Sequence, residues 1–150
     1  MSKNHHQLNY NLNVNYDDRA IQGDNPSDFT DLNYGNPDVE GTDALHGTHV
    51  AGIAGAVGNN GIGISGAAWN VKLMPIKVFQ STGQGNSSTI ASGVEYAVNN
   101  GATILNMSFG SYTESYTLSL VLENAYSTAI LVASAGNDGK CLDPIPGCPG

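Results

Sequence analysis

Two short apolar runs, with helix-like sequence before and between them, constrain the fold of this chain most. The runs are ATILNMS at residues 102–108 and AILVASAG at residues 129–136. Residues 87–101, ahead of the first run, and residues 116–128, between the two, carry apolar side chains at helical spacing. Alternating helices and strands with short links predict right-handed crossovers and a parallel sheet. We expect both runs to be buried strands.

The flanking sequence refines this pattern. The first of these helices has Ser87 or Ser88 as its expected N-cap and Gly101 just past its end. Residues 71–79, VKLMPIKVF, are apolar and β-branched and predict a further strand. Pro75 cannot donate a ladder hydrogen bond, which favours an edge position for that strand.

The first 45 residues differ in composition from the rest. They are rich in Asn, Asp, Gly and Tyr and lack a sustained apolar period, which predicts an irregular acidic surface segment over 1–45 and the folded domain over 46–150. At the other end, Cys141 and Cys148 lie in a Pro/Gly-rich loop. They are expected either to form a local disulfide or to remain free thiols.

The charge balance excludes one class of partner. The net charge is −8 in 150 residues, so the chain has little with which to neutralise phosphates, and we expect no nucleic-acid partner. No apolar run approaches the length of a membrane span, and no signal peptide follows Met1. We therefore expect no membrane partner, and a secreted parent protein stays open.

A glycine-rich stretch, LHGTHVAGIAG, begins at residue 45 and predicts a helix over 46–57. Each glycine inside a helix costs about 1 kcal/mol relative to alanine, so such a helix needs close packing. On a helix, His46 shares a stripe with apolar residues that we expect to face the core: Val50, Ile53, Ala54 and Val57. A half-buried imidazole at a cleft edge can exchange a proton near neutral pH, although a hydrogen-bonded structural histidine fits the pattern too.

Two other interpretations of this stretch are weaker. His46 and His49 are three residues apart without a glutamate between them, which departs from the zinc-binding HExxH pattern. His49 is therefore expected to be a packing residue that hydrogen-bonds a neighbouring loop. The glycines of residues 52–58, GIAGAVG, do not follow a strand, as a dinucleotide-binding loop must. They are expected to serve close helix packing.

Polar residues follow both predicted strands. Ser108, Phe109 and Gly110 come after the first run, and Asn137 follows the second. Ligands of parallel sheets bind beyond the carboxyl ends of the strands, where the following helices also begin. We expect these residues to meet His46 at one rim. Asn137 is either a turn residue or an amide donor aimed at negative charge on an oxygen.

Three motifs together resemble the subtilisin-like serine proteases, or subtilases. They are HGTHVAGIAG, ILNMSFG and VASAGNDG, in the family's order, and the resemblance covers residues 42–140. Residues 10–45 resemble an insertion found ahead of the histidine in some bacterial subtilases. The resemblance implies an α/β three-layer sandwich with a mainly parallel sheet, of which this chain would hold part.

The resemblance also implies roles for individual residues. His46 would be the general base, and Asn137 would donate its side-chain N–H in the oxyanion hole. The residues Ser108–Gly110 would pair with an extended substrate peptide. Gly83 and Gly85, in TGQG, would form the opposite side of the cleft. We call these two segments, Ser108–Gly110 and Gly83–Gly85, the rails of the cleft. Two rails that bind substrate main chain explain broad recognition of peptides.

The segment GNNGIGI, residues 58–64, resembles the family's calcium loop. The Asn60 side chain and the carbonyls of Ile62 and Ile64 would be oxygen ligands, a donor type that suits calcium. A plain Asn-Gly turn is the alternative. No organic cofactor is expected.

The chain also departs from the family pattern. The family aspartate ends an apolar strand ahead of a glycine, whereas Asp17 and Asp18 have neither feature. No serine lies in the family's nucleophile motif; in GISGA, residues 63–67, Ala67 replaces the required glycine. We therefore expect an internal piece of a serine endopeptidase, the catalytic aspartate and serine lying outside it.

Three functions follow from this pattern. The parent is expected to be a secreted or cell-envelope endopeptidase, and this chain alone to be inactive. The first alternative is a non-catalytic subtilase-like module that binds extended peptides. The weaker alternative is a nucleotide-binding α/β domain.

Overall fold

The structure is a computed structural model that describes residues 23, 25, 27, 28, 30, 34–40, 45–80 and 83–139. Its elements, in chain order, are α1 (Leu45–Gly55), α2 (Ser87–Asn99), β1 (Ile104–Met107), α3 (Tyr116–Tyr126) and β2 (Ile130–Ala133). Among the described residues, every helix is too short or too polar to span a lipid bilayer.

The chain divides into two compact units, Met1–Val39 and Glu40–Gly150. In the first unit, the described residues form side-chain-capped turns. Asn25 Oδ1 accepts a hydrogen bond from the Ser27 amide at 3.1 Å, and Asp28 Oδ1 accepts one from the Thr30 amide at 2.9 Å. Asn and Asp side chains commonly form such local turns. The irregular character expected of residues 1–45 stays a prediction. The domain boundary after residue 45 stays a prediction.

The second unit contains a two-stranded parallel sheet, which confirms the predicted pairing. The register runs from Ile104 opposite Ile130 to Met107 opposite Ala133. Leu105 and Met107 are buried, but Ile104 and Ile130 are each 62% exposed. The expectation that both strands are buried is therefore wrong for the described residues, because the helices cover only one face of the sheet.

The covered face is packed by small residues. The core cluster joins α2, β1 and α3 with the residue that precedes β2, and consists of Val94, Ala97, Leu105, Ala125 and Ala129. Alanines let the two helices approach the sheet and each other closely. The helices α2 and α3 contact one another, and α3 also contacts β2.

The caps of α2 explain where this helix begins and ends. Its N-cap is Asn86, whose side chain accepts a hydrogen bond from the Thr89 amide at 2.7 Å. The expectation of Ser87 or Ser88 was therefore wrong by one or two residues, because asparagine caps as well as serine. Gly101 has a φ of +85°, as expected of a glycine that follows a helix.

Residues 71–79 do not form the predicted strand. They pack against α1 and α2, and they contact each of these helices at a glycine. A Cβ added to Gly55 of α1 would lie 2.8 Å from the Val71 side chain, and one added to Gly93 of α2 would collide with Val78. A strand needs a neighbour for its backbone groups, and the described residues provide none beside this segment.

The end of α1 is held by the segment that follows it. The amides of Gly66, Ala67 and Ala68 donate to the carbonyls of Ala56, Ile53 and Ala54 at 2.9–3.0 Å. These bonds satisfy carbonyls that a helix end leaves without partners. The close approach requires glycine at position 66, where an added Cβ would lie 2.8 Å from the Gly55 nitrogen and closer still to Ala56.

We predict that Gly66→Ala destabilises the protein by about 2–3 kcal/mol, because the new methyl group meets backbone that cannot move aside. The matched control is Gly47→Ala on α1, where no atom lies within 4 Å of an added Cβ. That control should be neutral or stabilise the protein by up to about 1 kcal/mol. Urea unfolding measures both, and equal effects would contradict the packing of the 66–68 segment on α1.

Candidate functional site

The two strands end opposite one another, and their carboxyl ends form one edge of the sheet. Met107 and Ala133 end β1 and β2 opposite one another, and the Ser134 amide donates to the Met107 carbonyl at 3.2 Å. The two following loops therefore start side by side. The structure places Ser108–Gly110 and Asn137 at this same edge.

Side chains hold the loop after β1 in position. Asn106 Nδ2 donates to Ser108 Oγ at 2.7 Å, and Ser134 Oγ donates to the Phe109 carbonyl at 3.2 Å. The second bond connects the main chain of one loop to the side chain of the other. The segment predicted to pair with substrate is thus fixed to β2 as well as to β1.

The predicted opposite rail is a tight turn. The Gln80 amide donates to the Gln84 carbonyl at 2.8 Å, and the Gly83 amide donates to the Gln80 carbonyl at 2.9 Å. Gly83 has a φ of +73°, a conformation that favours glycine. At Gly85, an added Cβ would lie 2.8 Å from the Phe79 ring, so the turn lies directly against that ring.

Phe79 connects the two predicted rails. Its ring contacts Gly85 on one side and meets the Phe109 ring edge-on, with 5.3 Å between ring centroids and 62° between planes. The structure therefore brings Gly83–Gly85 and Ser108–Gly110 together. Sequence reasoning treated Phe79 only as part of a strand, and no local pattern indicates a partner 30 residues away.

Asn137 lies in an exposed turn after β2. Gly136 and Gly139 have φ values of +79° and +64°, so the chain turns on both sides of Asn137. The neighbouring Asp138 accepts a hydrogen bond from the Tyr112 hydroxyl. This bond and the charge of Asp138 raise the pKa of Tyr112 above its usual value. Sequence reasoning did not identify Tyr112, because its partner lies in another loop.

His46 lies in the first turn of α1 and is exposed. The expectation that its stripe faces the core is wrong for the described residues, since Ile53 is 66% and Val57 62% exposed. The reason is that the core forms between α2, α3 and the sheet, whereas α1 packs through Gly55 and its carbonyl end. The described contacts do not join His46 to Asn137, so their meeting at one rim stays a prediction.

His49 lines a shallow groove with neighbouring residues of α1 and with Ile64 of the following loop: Thr48, Gly52, Ile53 and Ile64. His49 is itself exposed, so its expected role as a packing residue that hydrogen-bonds a neighbouring loop stays a prediction. Within the described part of the chain, no three His, Cys, Asp or Glu residues lie close enough together to hold a metal ion.

The 58–64 loop has the geometry of a compact turn. Asn60 Oδ1 accepts a hydrogen bond from the Ile62 amide at 3.0 Å, and Gly61 and Gly63 have φ values of +71° and +63°. Its three predicted ligands are neutral oxygens, the donor type that calcium accepts, but calcium takes six to eight of them. The donor type of the loop suits calcium but three oxygens do not complete a site, and both the calcium site and the plain Asn-Gly turn stay predictions.

Some predicted features lie outside the described residues. They are the alternative disulfide or free thiols of Cys141 and Cys148, and the weak candidates Asp17 and Asp18.

The fold and this edge define a parallel α/β domain whose polar loops gather beyond the carboxyl ends of the strands. The model of the subtilase family of peptidases matches residues 1–149. The chain belongs to the subtilase family, and its architecture is part of that family's α/β fold.

Similar proteins agree with this assignment. The chain is 45% identical over 106 residues to subtilisin E of Bacillus subtilis, covering 70% of this chain and 27% of that protein. It is 45% identical over 106 residues to a subtilisin of Bacillus pumilus, covering 70% and 38%. It is also 45% identical over 96 residues to a thermostable alkaline protease of Halalkalibacterium halodurans, covering 63% and 26%. The matched segment thus spans well under half of each relative.

The contact between the two rails can be measured. We predict a coupling free energy of about 0.5–1.5 kcal/mol between Phe79→Leu and Phe109→Leu in a double-mutant cycle, because an edge-to-face aromatic pair contributes more than its buried area. Urea unfolding of the two single variants and the double variant gives this value. Strictly additive effects would show that the rings do not interact.

Proposed function

We propose that the complete protein is a serine endopeptidase that hydrolyses peptide bonds in extended substrates. The observation that carries this proposal is the Phe79–Phe109 contact, which sets two main-chain rails side by side at the edge that also carries Asn137. An extended peptide can add to such an edge through backbone hydrogen bonds, with little demand on its sequence. Membership of the subtilase family supplies the chemistry that fits this edge.

In the proposed mechanism, substrate main chain lies between Ser108–Gly110 and Gly83–Gly85. His46 accepts the proton of the nucleophilic serine as the serine attacks the peptide carbonyl, and then donates it to the leaving amine. Asn137 donates its side-chain N–H to the carbonyl oxygen as negative charge develops there. The motifs of these 150 residues supply neither the serine nor the aspartate that orients the histidine, so both belong to other parts of the protein.

We further propose that the protein acts on peptides or proteins outside the cell or in the cell envelope, as the resemblance to bacterial subtilases implies. The acidic composition supports a protein substrate over nucleic acid, because a net charge of −8 repels phosphates.

The proposal is tested with the complete translation product of the gene. It should hydrolyse an unfolded protein substrate and react stoichiometrically with a fluorophosphonate probe. His46→Ala should abolish nearly all turnover. In subtilisin, loss of one oxyanion-hole donor lowers kcat by about 10²–10³, and we expect a loss of that order for Asn137→Ala. His49→Ala is the matched histidine control and should retain most activity.

Two results would contradict the proposal. Turnover that persists in His46→Ala would show that this residue is not the general base. Saturable peptide binding without hydrolysis or probe labelling would identify the non-catalytic binding module instead.

We also propose that Asn60, Ile62 and Ile64 contribute oxygen ligands to a structural calcium ion. The resemblance of the loop to the family's calcium loop supports this, and its Asx turn and two glycines with positive φ make the loop compact. A ligand that binds only the folded state stabilises it by about 2.7 kcal/mol at one hundred times its Kd.

We therefore predict that millimolar Ca²⁺ raises the unfolding midpoint of the protein and that Asn60→Ala removes most of this increment. The quantity compared is the rise in midpoint that Ca²⁺ produces in each variant. The midpoint itself is not compared, because Asn60→Ala also removes the turn's hydrogen bond. Asn99→Ala, at an exposed position of α2, is the matched control. An undiminished increment in Asn60→Ala would exclude this loop as the site.

A further inference from the structure

A hydrogen bond between two side chains ties the loop after β1 to the loop after β2. The Tyr112 hydroxyl donates to the Asp138 carboxylate, across 26 residues of sequence. Tyr112 follows Gly110 by two residues, and Asp138 is bonded directly to Asn137. The bond thus links the end of the proposed substrate rail to the residue beside the proposed oxyanion donor.

Packing does not explain the bond. Tyr112 is 75% exposed, and Asp138 is exposed too, so the bond lies at the surface and not in the core. The turn that carries Asn137 is exposed from Ser134 to Gly139. Its other described attachments are both made by Ser134, whose amide donates to Met107 and whose hydroxyl donates to Phe109, three residues before Asn137. A charge-assisted bond at Asp138 therefore constrains the far side of the turn.

We propose that Tyr112 is a positioning residue, which acts through Asp138 to fix the turn bearing Asn137 relative to the Ser108–Gly110 rail. This inference rests on the proposed function. An oxyanion donor is effective only when its N–H already points to the place where charge will develop, so freedom of this turn reduces turnover.

The protonation state of Tyr112 suits this role. The bond to Asp138, together with its charge, raises the pKa of Tyr112 above its usual value of 10.0. Tyr112 therefore keeps its proton and donates through neutral and mildly alkaline pH. The bond is lost as the pH rises through that raised pKa.

The kinetic test uses Tyr112→Phe in the complete translation product. We expect kcat to fall about three- to tenfold while KM changes less than about twofold, because the affected contact forms only in the transition state. Tyr116→Phe is the matched control: Tyr116 is 76% exposed, lies in the first turn of α3, and should leave both constants unchanged.

An epistasis test asks whether Tyr112 acts through Asn137. In an Asn137→Ala background, Tyr112→Phe should lower kcat no further. An undiminished additional loss there, or unchanged kcat in the single variant, would overturn the positioning role. If Asn137→Ala itself leaves kcat unchanged, the oxyanion assignment fails, and that failure is separate from the test of the Tyr112–Asp138 bond.

A spectroscopic test of the bond requires no activity. With ¹³Cζ-labelled tyrosine, the Tyr112 signal is assigned by its loss in Tyr112→Phe, and its titration is followed by NMR. Asp138→Ala should lower the pKa of Tyr112 toward its usual value and leave the other tyrosine signals in place. An unchanged Tyr112 titration in Asp138→Ala would show that the bond does not form and would overturn the inference.

Discussion

The parallel pairing of β1 with β2, in a register that ends both strands at the same edge, is the constraint on which the rest of the structure depends. Because both strands run the same way and end at Met107 and Ala133, the loops that follow them start at one edge. Two strands alone are marginal in water, so this pairing relies on the helix layer beneath it. The alanines of α2 and α3 let that layer approach Leu105 closely enough to exclude water. Substitution of bulky residues there would separate the layer from the sheet and disturb the edge.

Above the strands, side chains determine the arrangement of the edge. The Phe79 ring joins the glycine turn to Phe109, Ser134 joins the second loop to the first, and Tyr112 joins the first loop to the second. Each contact crosses between segments that are distant in sequence. The proposed recognition of substrate main chain needs few specific pockets, but it needs the two rails at a constant separation. The Phe79 contacts would supply that separation, and the Ser134 and Tyr112 bonds connect the turn that carries Asn137 to the first loop.

The regular part of the fold was predictable because its signals are local. The apolar period identified both helices of the core layer, Gly101 marked the end of α2, and the order of elements indicated parallel pairing. The prediction failed where the outcome depends on a neighbour. Residues 71–79 have strand composition but no adjacent strand among the described residues, and the apolar stripe of α1 does not reveal which element covers it. The contacts of Phe79 and Tyr112 could not be predicted from the sequence for the same reason, since each residue contacts a partner in a distant loop.

The two halves of the proposed site differ in what fixes them. Asn137 and the rails are held by side-chain contacts between loops at the carboxyl edge of the sheet. His46 lies on α1 in the same stripe as Ile53 and as Val57, which follows the helix end by two residues; both are exposed. The outer sheet face exposes Ile104 and Ile130. Burial of each such side chain contributes about 1.5–3 kcal/mol, so a subtilase-like three-layer arrangement gains most by covering these two apolar faces. The position of His46 therefore depends on the packing of α1, whereas the position of Asn137, the proposed oxyanion donor, depends on the loops at the sheet edge.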